Sequence, residues 1–214
     1  MIPFLLVLSA PSGAGKTTIA QALLSARDDL GFSVSATTRP PREGERDGVA
    51  YRFLSRPDFD HRVAAGEFLE WAEYGGHRYG TLRSEVDRVL AEGRNVLLDI
   101  EVQGARQVRE RCQNVVSVFI LPPSARALAD RLGGRNTEQR PAVARRLRTA
   151  IDELAEAAHY DYVVVNADRT QAVAEVAAIL DAESRRPRRQ AELEQQLRSL
   201  IRDIAELAAT LERT

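Results

Sequence analysis

The sequence predicts an α/β fold in which helices cover both faces of a parallel sheet. The chain has 214 residues with 44% hydrophobic content, enough for a full core as one domain with insertions or as two small ones. Four apolar runs predict strands: "IPFLLVL" (2–8), "NVLLDI" (95–100), "VVSVFIL" (115–121) and "DYVVVN" (161–166). They do not alternate with polar residues, and helical segments such as Gln103 to Arg111 and Ser124 to Leu132 separate them, which favours parallel strands buried on both faces.

A phosphate-binding loop follows the first apolar run. "SAPSGAGKTT" (9–18) fits G-x-x-x-x-G-K-[ST] except that Ala10 stands at the first glycine, a strand exit where alanine is tolerated if φ stays negative. Gly13 and Gly15 let backbone N–H groups turn inward around phosphate, and the helix opened by Lys16 points its positive end at the anion. We therefore expect a P-loop NTPase-type core that binds ATP through Ala10, Pro11, Ser12, Gly13, Ala14, Gly15, Lys16, Thr17 and Thr18.

Lys16 is the only lysine among the thirty Lys and Arg residues of the chain. A compact ammonium on a flexible stem can reach the β- and γ-phosphates inside a tight loop, whereas a wide guanidinium would not fit there. Thr17 offers a hydroxyl to Mg²⁺, and Asp99 ends its strand at the sheet edge where ligands bind. We expect Mg²⁺ near Thr17 and Asp99, partly through water; Asp99 could instead cap the next helix.

Residues 33–94 differ from the predicted core in being rich in aromatic, glycine and charged residues. Short alternating patterns broken by Pro and Gly predict a small antiparallel sheet with one helix, Arg56 to Ala65, between its strands. A P-loop enzyme needs a second anion site, and this inserted segment holds the best candidate for it.

The candidate second site contains two arginines and two tyrosines. Arg39 and Arg42, separated by two prolines that stiffen the chain, could present guanidinium groups to one phosphate, with hydroxyl donors from Tyr51 and Tyr79. A solvated charge cluster is the alternative. Glu70 suits a carboxylate that accepts two N–H donors, as guanine presents at N1 and its exocyclic amine and adenine does not.

The amino-acid composition restricts the binding partners and the cellular compartment that we expect for this chain. Thirty basic against thirty-one acidic residues give a net charge of −1, so no global field attracts nucleic acid, and nucleic acid is not an expected partner. Cys112 is the only cysteine, which excludes an internal disulfide framework, suits a reducing cytosol and is interpreted as a small buried filler. Neither a signal peptide nor a membrane span is indicated, so we expect a cytoplasmic protein.

The motifs together resemble the guanylate kinase family from about residue 4 to residue 183. The segments that carry the resemblance are "APSGAGKTT", "FSVSATTRPPREGE", "FLEWAEYGGHRYGT", "LLDIEVQGARQVR", "LPPS" followed by "RLGGRN", and "ARRL" before "YDYVVVN". The resemblance implies an enzyme that transfers the γ-phosphoryl group of Mg·ATP to GMP or dGMP, giving GDP or dGDP and ADP. It implies GMP binding by Ser35, Arg39, Arg42, Tyr51, Glu70, Tyr79, Thr81, Asp99 and Glu101.

The resemblance also implies a mobile lid over residues 124–157. There Arg131, Arg135 and Arg146 match the family's phosphate-contacting arginines, and with Lys16 they are the expected catalytic residues. Converging arginines would neutralise the transferring phosphoryl group, and a closing lid would exclude water. The expected organisation is a core (1–32, 95–123 and 158–183), a GMP-binding insertion (33–94), the lid (124–157), and a linker with a C-terminal amphipathic helix (184–214).

Two other functions fit the same core. An inactive guanylate-kinase-like binding module would be expected to have a degraded loop, whereas Gly13, Gly15, Lys16 and Thr17 are intact. A ribose bisphosphate kinase would have no guanine to recognise, so Glu70 argues against that acceptor. We therefore expect an active guanylate kinase.

The C-terminal tail, residues 184–214, lies outside the part of the chain that resembles the guanylate kinase family. Its basic stretch from Arg185 to Arg189 is expected to be a solvated linker, and a helix is predicted from Gln190 to Leu211. Six residues of that helix follow the spacing 4, 3, 4, 3, 4 of a heptad seam: Leu193, Leu197, Leu200, Ile204, Leu207 and Leu211. The seam predicts either a homodimer through this helix or a terminal helix packed on its own domain.

Overall fold

The computed structural model describes residues 1–134 and 140–212, which form nine strands and eight α-helices. The strands are β1 (Leu5–Ser9), β2 (Leu30–Phe32), β3 (Ala36–Thr37), β4 (Arg52–Phe53), β5 (Phe68–Tyr74), β6 (His77–Leu82), β7 (Asn95–Asp99), β8 (Val115–Leu121) and β9 (Tyr162–Val165). The helices are α1 (Lys16–Ala26), α2 (Arg56–Ala64), α3 (Arg83–Ala91), α4 (Val102–Arg111), α5 (Ala125–Gly133), α6 (Arg140–Ala155), α7 (Arg169–Ser184) and α8 (Leu193–Leu211). Within the described ranges no helix is long and apolar enough to cross a membrane.

The main sheet has the strand order β2-β7-β1-β8-β9, and every neighbouring pair in it is parallel. Helices α1 and α7 pack on one face through Ile19, Leu23 and Val176, and α3 and α4 pack on the other. The predicted α/β fold with a helix-covered parallel sheet is therefore confirmed. The short strand β2 was not predicted, because "LGF" is too brief for its pattern to indicate a strand.

A smaller sheet with the order β4-β3-β6-β5 lies within residues 33–94. The prediction that it is antiparallel is wrong in part, since β3 pairs with β4 in parallel. The long connection from residue 38 to residue 51 explains this, because parallel neighbours need a crossover and cannot be joined by a tight turn. The predicted helix is present as α2, where Phe59 stacks on Phe68 of β5 with ring centroids 4.3 Å apart.

Helix α3 also falls within residues 33–94, yet it packs on the main sheet. Its Val86 and Val89 join the same apolar cluster as Val7 and Leu98 of β1 and β7. The chain therefore returns to the main core directly after β6.

Helices α5 and α6 lie in the segment predicted to be the lid. They form a separate small cluster in which Leu128 and Leu132 pack against Ala150. Because this cluster is distinct from the main core, the two helices are held together independently of the sheet.

The tail differs from the predicted solvated linker. Arg189 is fully buried: its guanidinium forms an ion pair with Glu183, donates to Oδ1 of Asn114 at 3.2 Å and lies 4.0 Å from the centroid of the Phe4 ring. Sequence reasoning assigned all five residues of the basic stretch to solvent because a run of arginines cannot by itself indicate which one has a buried carboxylate to pair with. Helix α8 then begins at Leu193, and none of its residues is buried in the described part of the chain.

Candidate active site

The phosphate-binding loop lies between β1 and α1. Gly13 and Gly15 have φ values of +89° and +94°, which side chains with a Cβ rarely adopt. A Cβ on Gly13 would lie 2.8 Å from Cδ2 of Leu132, and one on Gly15 would overlap the amide of Asn166. Both glycines are therefore required by backbone conformation and by space.

Lys16 and Asp99 meet because β1 and β7 are neighbours in register. The Lys16 ammonium forms an ion pair with Asp99 and donates to the carbonyl of Ile100 at 3.1 Å. The hydroxyl of Thr17 donates to the other carboxylate oxygen of Asp99 at 2.9 Å. Asp99 therefore contacts Lys16 and Thr17 at the end of the loop. It does not cap the next helix, because the N-cap residue of α4 is Glu101.

The oxygen atoms of Thr17 and Asp99 are of the kind that Mg²⁺ prefers. Among residues 1–134 and 140–212 there is no group of three or more His, Cys, Asp or Glu side chains that could hold a metal ion. Mg²⁺ commonly keeps water ligands and binds through one or two protein oxygens together with substrate phosphates, so this pair fits that mode.

The predicted phosphate arginines contact a carboxylate that sequence reasoning missed. The Arg39 guanidinium donates to both carboxylate oxygens of Glu45, at 2.8 and 3.0 Å, and the Arg42 backbone N–H donates to the same group at 2.7 Å. Arg39 also lies 5.4 Å from the centroid of the Tyr51 ring, which is edge-on to Tyr79 at 6.0 Å. The structure thus brings Arg39, Tyr51 and Tyr79 together, while Arg42 joins the cluster through its main chain.

Glu70 is almost fully buried and pairs with Thr81 across β5 and β6. The Thr81 hydroxyl donates to Oε1 of Glu70 at 2.7 Å, and Oε2 points toward Gly104 of α4, where a Cβ would overlap it. Burial raises the pKa of Glu70 to about 7, although the hydrogen bonds from Thr81 oppose this shift. Gly104 is a second residue that sequence reasoning missed; a glycine inside a predicted helix was the available signal.

Glu101 and Ser35 are two further residues predicted to bind GMP. Burial raises the pKa of Glu101 to about 7, with Lys16 acting in the opposite direction and Glu153 adding to the increase. Ser35 lies just before β3, where its carbonyl accepts a hydrogen bond from the Arg52 backbone at 2.9 Å.

The lid segment contacts the loop through two of the three predicted arginines. Arg131 donates to the carbonyls of Ala14, at 3.2 Å, and Asn166, at 3.1 Å. Arg146 donates to the Ser12 hydroxyl at 2.7 Å. Arg135 lies outside the described residues.

A cavity of about 910 Å³ joins these parts. It is lined by Ala10 to Gly13 and Gly15 to Thr18 of the loop, by Tyr51, Tyr74 and Glu101, by Arg131, Gly134, Arg146 and Glu153 of the lid segment, and by residues 166–169 after β9. The loop, the smaller sheet and the lid segment therefore share one space.

Cys112 and the three histidines complete the comparison with the sequence. Cys112 is only partly buried, at the C-cap position of α4, and it packs against the apolar cluster that contains Val7 and Leu98, so its interpretation as a small buried filler is confirmed only in part. His61 and His159 are exposed and His77 is half-exposed, and none of the three lines the cavity.

The parallel sheet and the loop after its central strand define a P-loop nucleotide-binding protein. A family model described as guanylate kinase matches residues 3–183. The chain belongs to the guanylate kinase family, which confirms the family, the fold class and the type of enzyme predicted from the sequence.

Individual relatives agree with the family model. The chain is 53% identical to a guanylate kinase of Symbiobacterium thermophilum over 182 residues, covering 85% of this chain and 86% of that protein. It is 47% identical to a guanylate kinase of Alkalilimnicola ehrlichii over 200 residues, covering 94% and 97%. A crystal structure of guanylate kinase from Anaplasma phagocytophilum superposes with a TM-score of 0.76 at 35% identity, covering 92% of this chain and 95% of the other.

Proposed function

We propose that this enzyme transfers the γ-phosphoryl group of Mg·ATP to GMP or dGMP, giving ADP and GDP or dGDP. The observation that carries the proposal is the shared cavity, which is lined by Lys16 and Thr17 of the loop, by Tyr51 directly before β4, and by Arg131 and Arg146 of the lid segment. A donor phosphate on the loop and an acceptor phosphate near Tyr51 would lie in one space.

The chemistry requires positioning and charge neutralisation more than a strong base. An acceptor phosphate oxygen attacks the γ-phosphorus while the bond from that phosphorus to the β–γ bridging oxygen breaks, leaving ADP. Lys16, Arg131 and Arg146 neutralise the charge on the transferring group, and the lid excludes water that would otherwise receive it. Mg²⁺, held by Thr17 and Asp99 with the donor phosphates, would supply further charge neutralisation.

The residues predicted to bind GMP fall into two sets, one that would hold its phosphate and one that would recognise its base. Arg39, Arg42, Tyr51 and Tyr79 would hold the GMP phosphate, with Arg39 exchanging its bond to Glu45 for one to the phosphate. Glu70 would accept the guanine N1 and amine hydrogens, and the Thr81 hydroxyl, together with Ser35 and Glu101, would complete the base site.

Substitution of Lys16 tests the donor assignment. Lys16→Ala is expected to abolish turnover and leave GMP binding largely intact, because the lysine serves the donor phosphates. Lys16→Arg keeps the charge and is expected to be nearly inactive as well, because the planar guanidinium does not fit the loop. If Lys16→Ala weakened GMP binding as strongly as it slowed turnover, Lys16 would not be specific to the donor.

The two alternative functions lack support from the site. The loop of an inactive binding module would not need Lys16 and Thr17 placed on Asp99. An acceptor without a purine would leave the buried Glu70 and Thr81 pair without a ligand group to recognise.

We also propose that the enzyme is cytoplasmic and forms a homodimer through α8. The large apolar side chains that α8 exposes are Leu197, Leu200, Ile201, Ile204, Leu207 and Leu211, each between 48% and 68% exposed. Along roughly 27 Å of helix, a second copy would cover this stripe on both chains at once. The seam has fewer than three heptads, so contacts between the domains would have to add to it.

Sedimentation of the full chain and of a chain ending at Gln190 tests the dimer. The shorter chain keeps the buried Arg189, so its core is preserved. A dimer in the full chain that is lost on truncation, and also lost in Leu200→Asp, is the expected result. A monomeric full chain would contradict the proposal.

A further inference from the structure

Helix α6 contacts Ser12 of the phosphate-binding loop with two side chains. The Ser12 backbone N–H donates to Oε2 of Glu153 at 3.3 Å, and the Ser12 hydroxyl accepts from Arg146 at 2.7 Å. Arg146 and Glu153 are seven residues apart, so both lie on the same face of α6. The helix therefore binds one loop residue at its amide and at its side chain.

Ser12 lies within the phosphate-binding loop and lines the cavity, and P-loops bind phosphate through backbone N–H groups. A carboxylate and a phosphate are both anionic acceptors, and each would form a charge-assisted hydrogen bond with this N–H. The amide has one hydrogen to donate, so Glu153 and a donor phosphate bound at Ser12 would be competitors.

The charges around Glu153 also favour displacement of its carboxylate by donor phosphates. Burial raises the pKa of the Glu153 carboxyl, whereas the Ser12 amide, Lys16 and Arg146 favour its ionised form. Glu153 and Glu101 both line the cavity, and Glu153 raises the pKa of Glu101. Donor phosphates would add negative charge to this space and would repel the Glu153 carboxylate.

We propose that Glu153 is a donor-site residue that competes with the donor phosphate for the Ser12 amide. This inference rests on the proposed function, in which the donor is ATP bound at the loop. Donor binding exchanges the carboxylate for a phosphate, and Arg146, on the same face of α6, remains beside Ser12 to contact the incoming anion. Glu153 thereby lowers the affinity of the loop for ATP and couples donor binding to the position of α6.

Calorimetric binding of a non-hydrolysable Mg·ATP analogue in the absence of GMP tests this proposal. Glu153→Ala and the nearly isosteric Glu153→Gln are expected to lower the dissociation constant, by about threefold to tenfold for Ala and by less for Gln, because Ala removes the competing acceptor and Gln removes only its charge. Asp152→Asn removes the same charge from an exposed neighbour on the same helix and is expected to leave the constant unchanged.

Two outcomes separate this proposal from the proposed function. Unchanged or weaker analogue binding in both Glu153 variants, with melting temperatures like that of the wild type, would overturn the role of Glu153. Equal analogue binding by the wild type and Lys16→Ala would instead show that the donor does not bind at the loop. A general loss of packing would weaken binding, which is the opposite direction to the expected effect.

Discussion

The Thr81 hydroxyl donates a 2.7 Å hydrogen bond to Glu70 where the pairing of β5 and β6 shifts by one residue. This irregularity places a carboxylate, which would normally be solvated, in a nearly dry environment next to α4. A buried carboxylate with few partners favours a ligand that supplies N–H donors.

Glu70→Gln is expected to lower kcat/KM for GMP. The loss corresponds to about 2 to 4 kcal/mol of activation free energy, the cost of losing a charge-assisted pair of hydrogen bonds. The amide replaces one acceptor oxygen by a donor that opposes the guanine edge. Steady-state kinetics with GMP varied gives the change, and the KM for ATP serves as the internal control. An unchanged kcat/KM would mean that guanine is recognised elsewhere.

The pH dependence should follow from the same carboxyl group. Its pKa is raised to about 7, so lowering the pH through this value protonates Glu70 and weakens GMP binding. We expect the ratio of wild-type to Glu70→Gln kcat/KM to rise with pH around 7; the titration of GMP itself cancels in this ratio. A ratio that does not change between pH 5.5 and 8.5, roughly the range that brackets this pKa, would contradict the assignment.

The free energy of unfolding should depend on pH in the direction opposite to GMP recognition: Glu70 should lower it as the pH rises. Because the folded-state pKa of Glu70 lies above its ordinary value of 4.5, ionisation is harder in the folded protein than in the unfolded chain. This group therefore lowers the free energy of unfolding as the pH rises from about 4.5 to about 7. Glu70→Gln should remove that decline, which urea denaturation at several pH values would measure.

Gly104→Ala tests whether α4 must leave space for Glu70. A methyl group at this position would overlap Oε2 of Glu70 and lie 2.8 Å from Cδ, so the carboxylate must move. Alanine is also about 1 kcal/mol better than glycine inside a helix, which offsets part of the strain in the folded protein. The expected result is a higher KM for GMP at an unchanged KM for ATP. Gln103→Ala, at an exposed neighbour on α4, should change neither constant.

The sequence predicted the parts of the site that depend on local pattern. The loop, the main strands other than β2 and the position of Asp99 follow from apolar runs and from glycine spacing, because strand ends and helix starts are encoded nearby. Glu45, Gly104 and Glu153 were missed because their importance arises from contacts with other segments. Arg189 shows the same limit, since only the fold brings it to Asn114 and Phe4.

The buried ion pair of the tail gives a prediction for stability. Arg189→Ala would leave Glu183 without its buried cation, although Tyr162 still donates to Glu183 at 2.6 Å and Arg186 remains at 3.0 Å. We expect a loss of about 2 to 4 kcal/mol in the free energy of unfolding, at the lower side of the range for breaking a buried pair. Arg185→Ala, at an exposed position of the same basic stretch, is the control, and equal stabilities of the two variants would contradict a special role for Arg189.

We propose that the chain phosphorylates a guanine nucleotide, with the donor phosphates on the phosphate-binding loop and the guanine base recognised by the buried Glu70. The most direct measurement is a coupled assay of ADP formation from Mg·ATP with GMP, dGMP, AMP and ribose 1,5-bisphosphate offered separately. We predict rapid turnover with GMP and dGMP, and little with AMP or the sugar bisphosphate, because neither presents two N–H donors to Glu70. Turnover of ribose 1,5-bisphosphate in preference to GMP, or no turnover with any acceptor, would contradict the account.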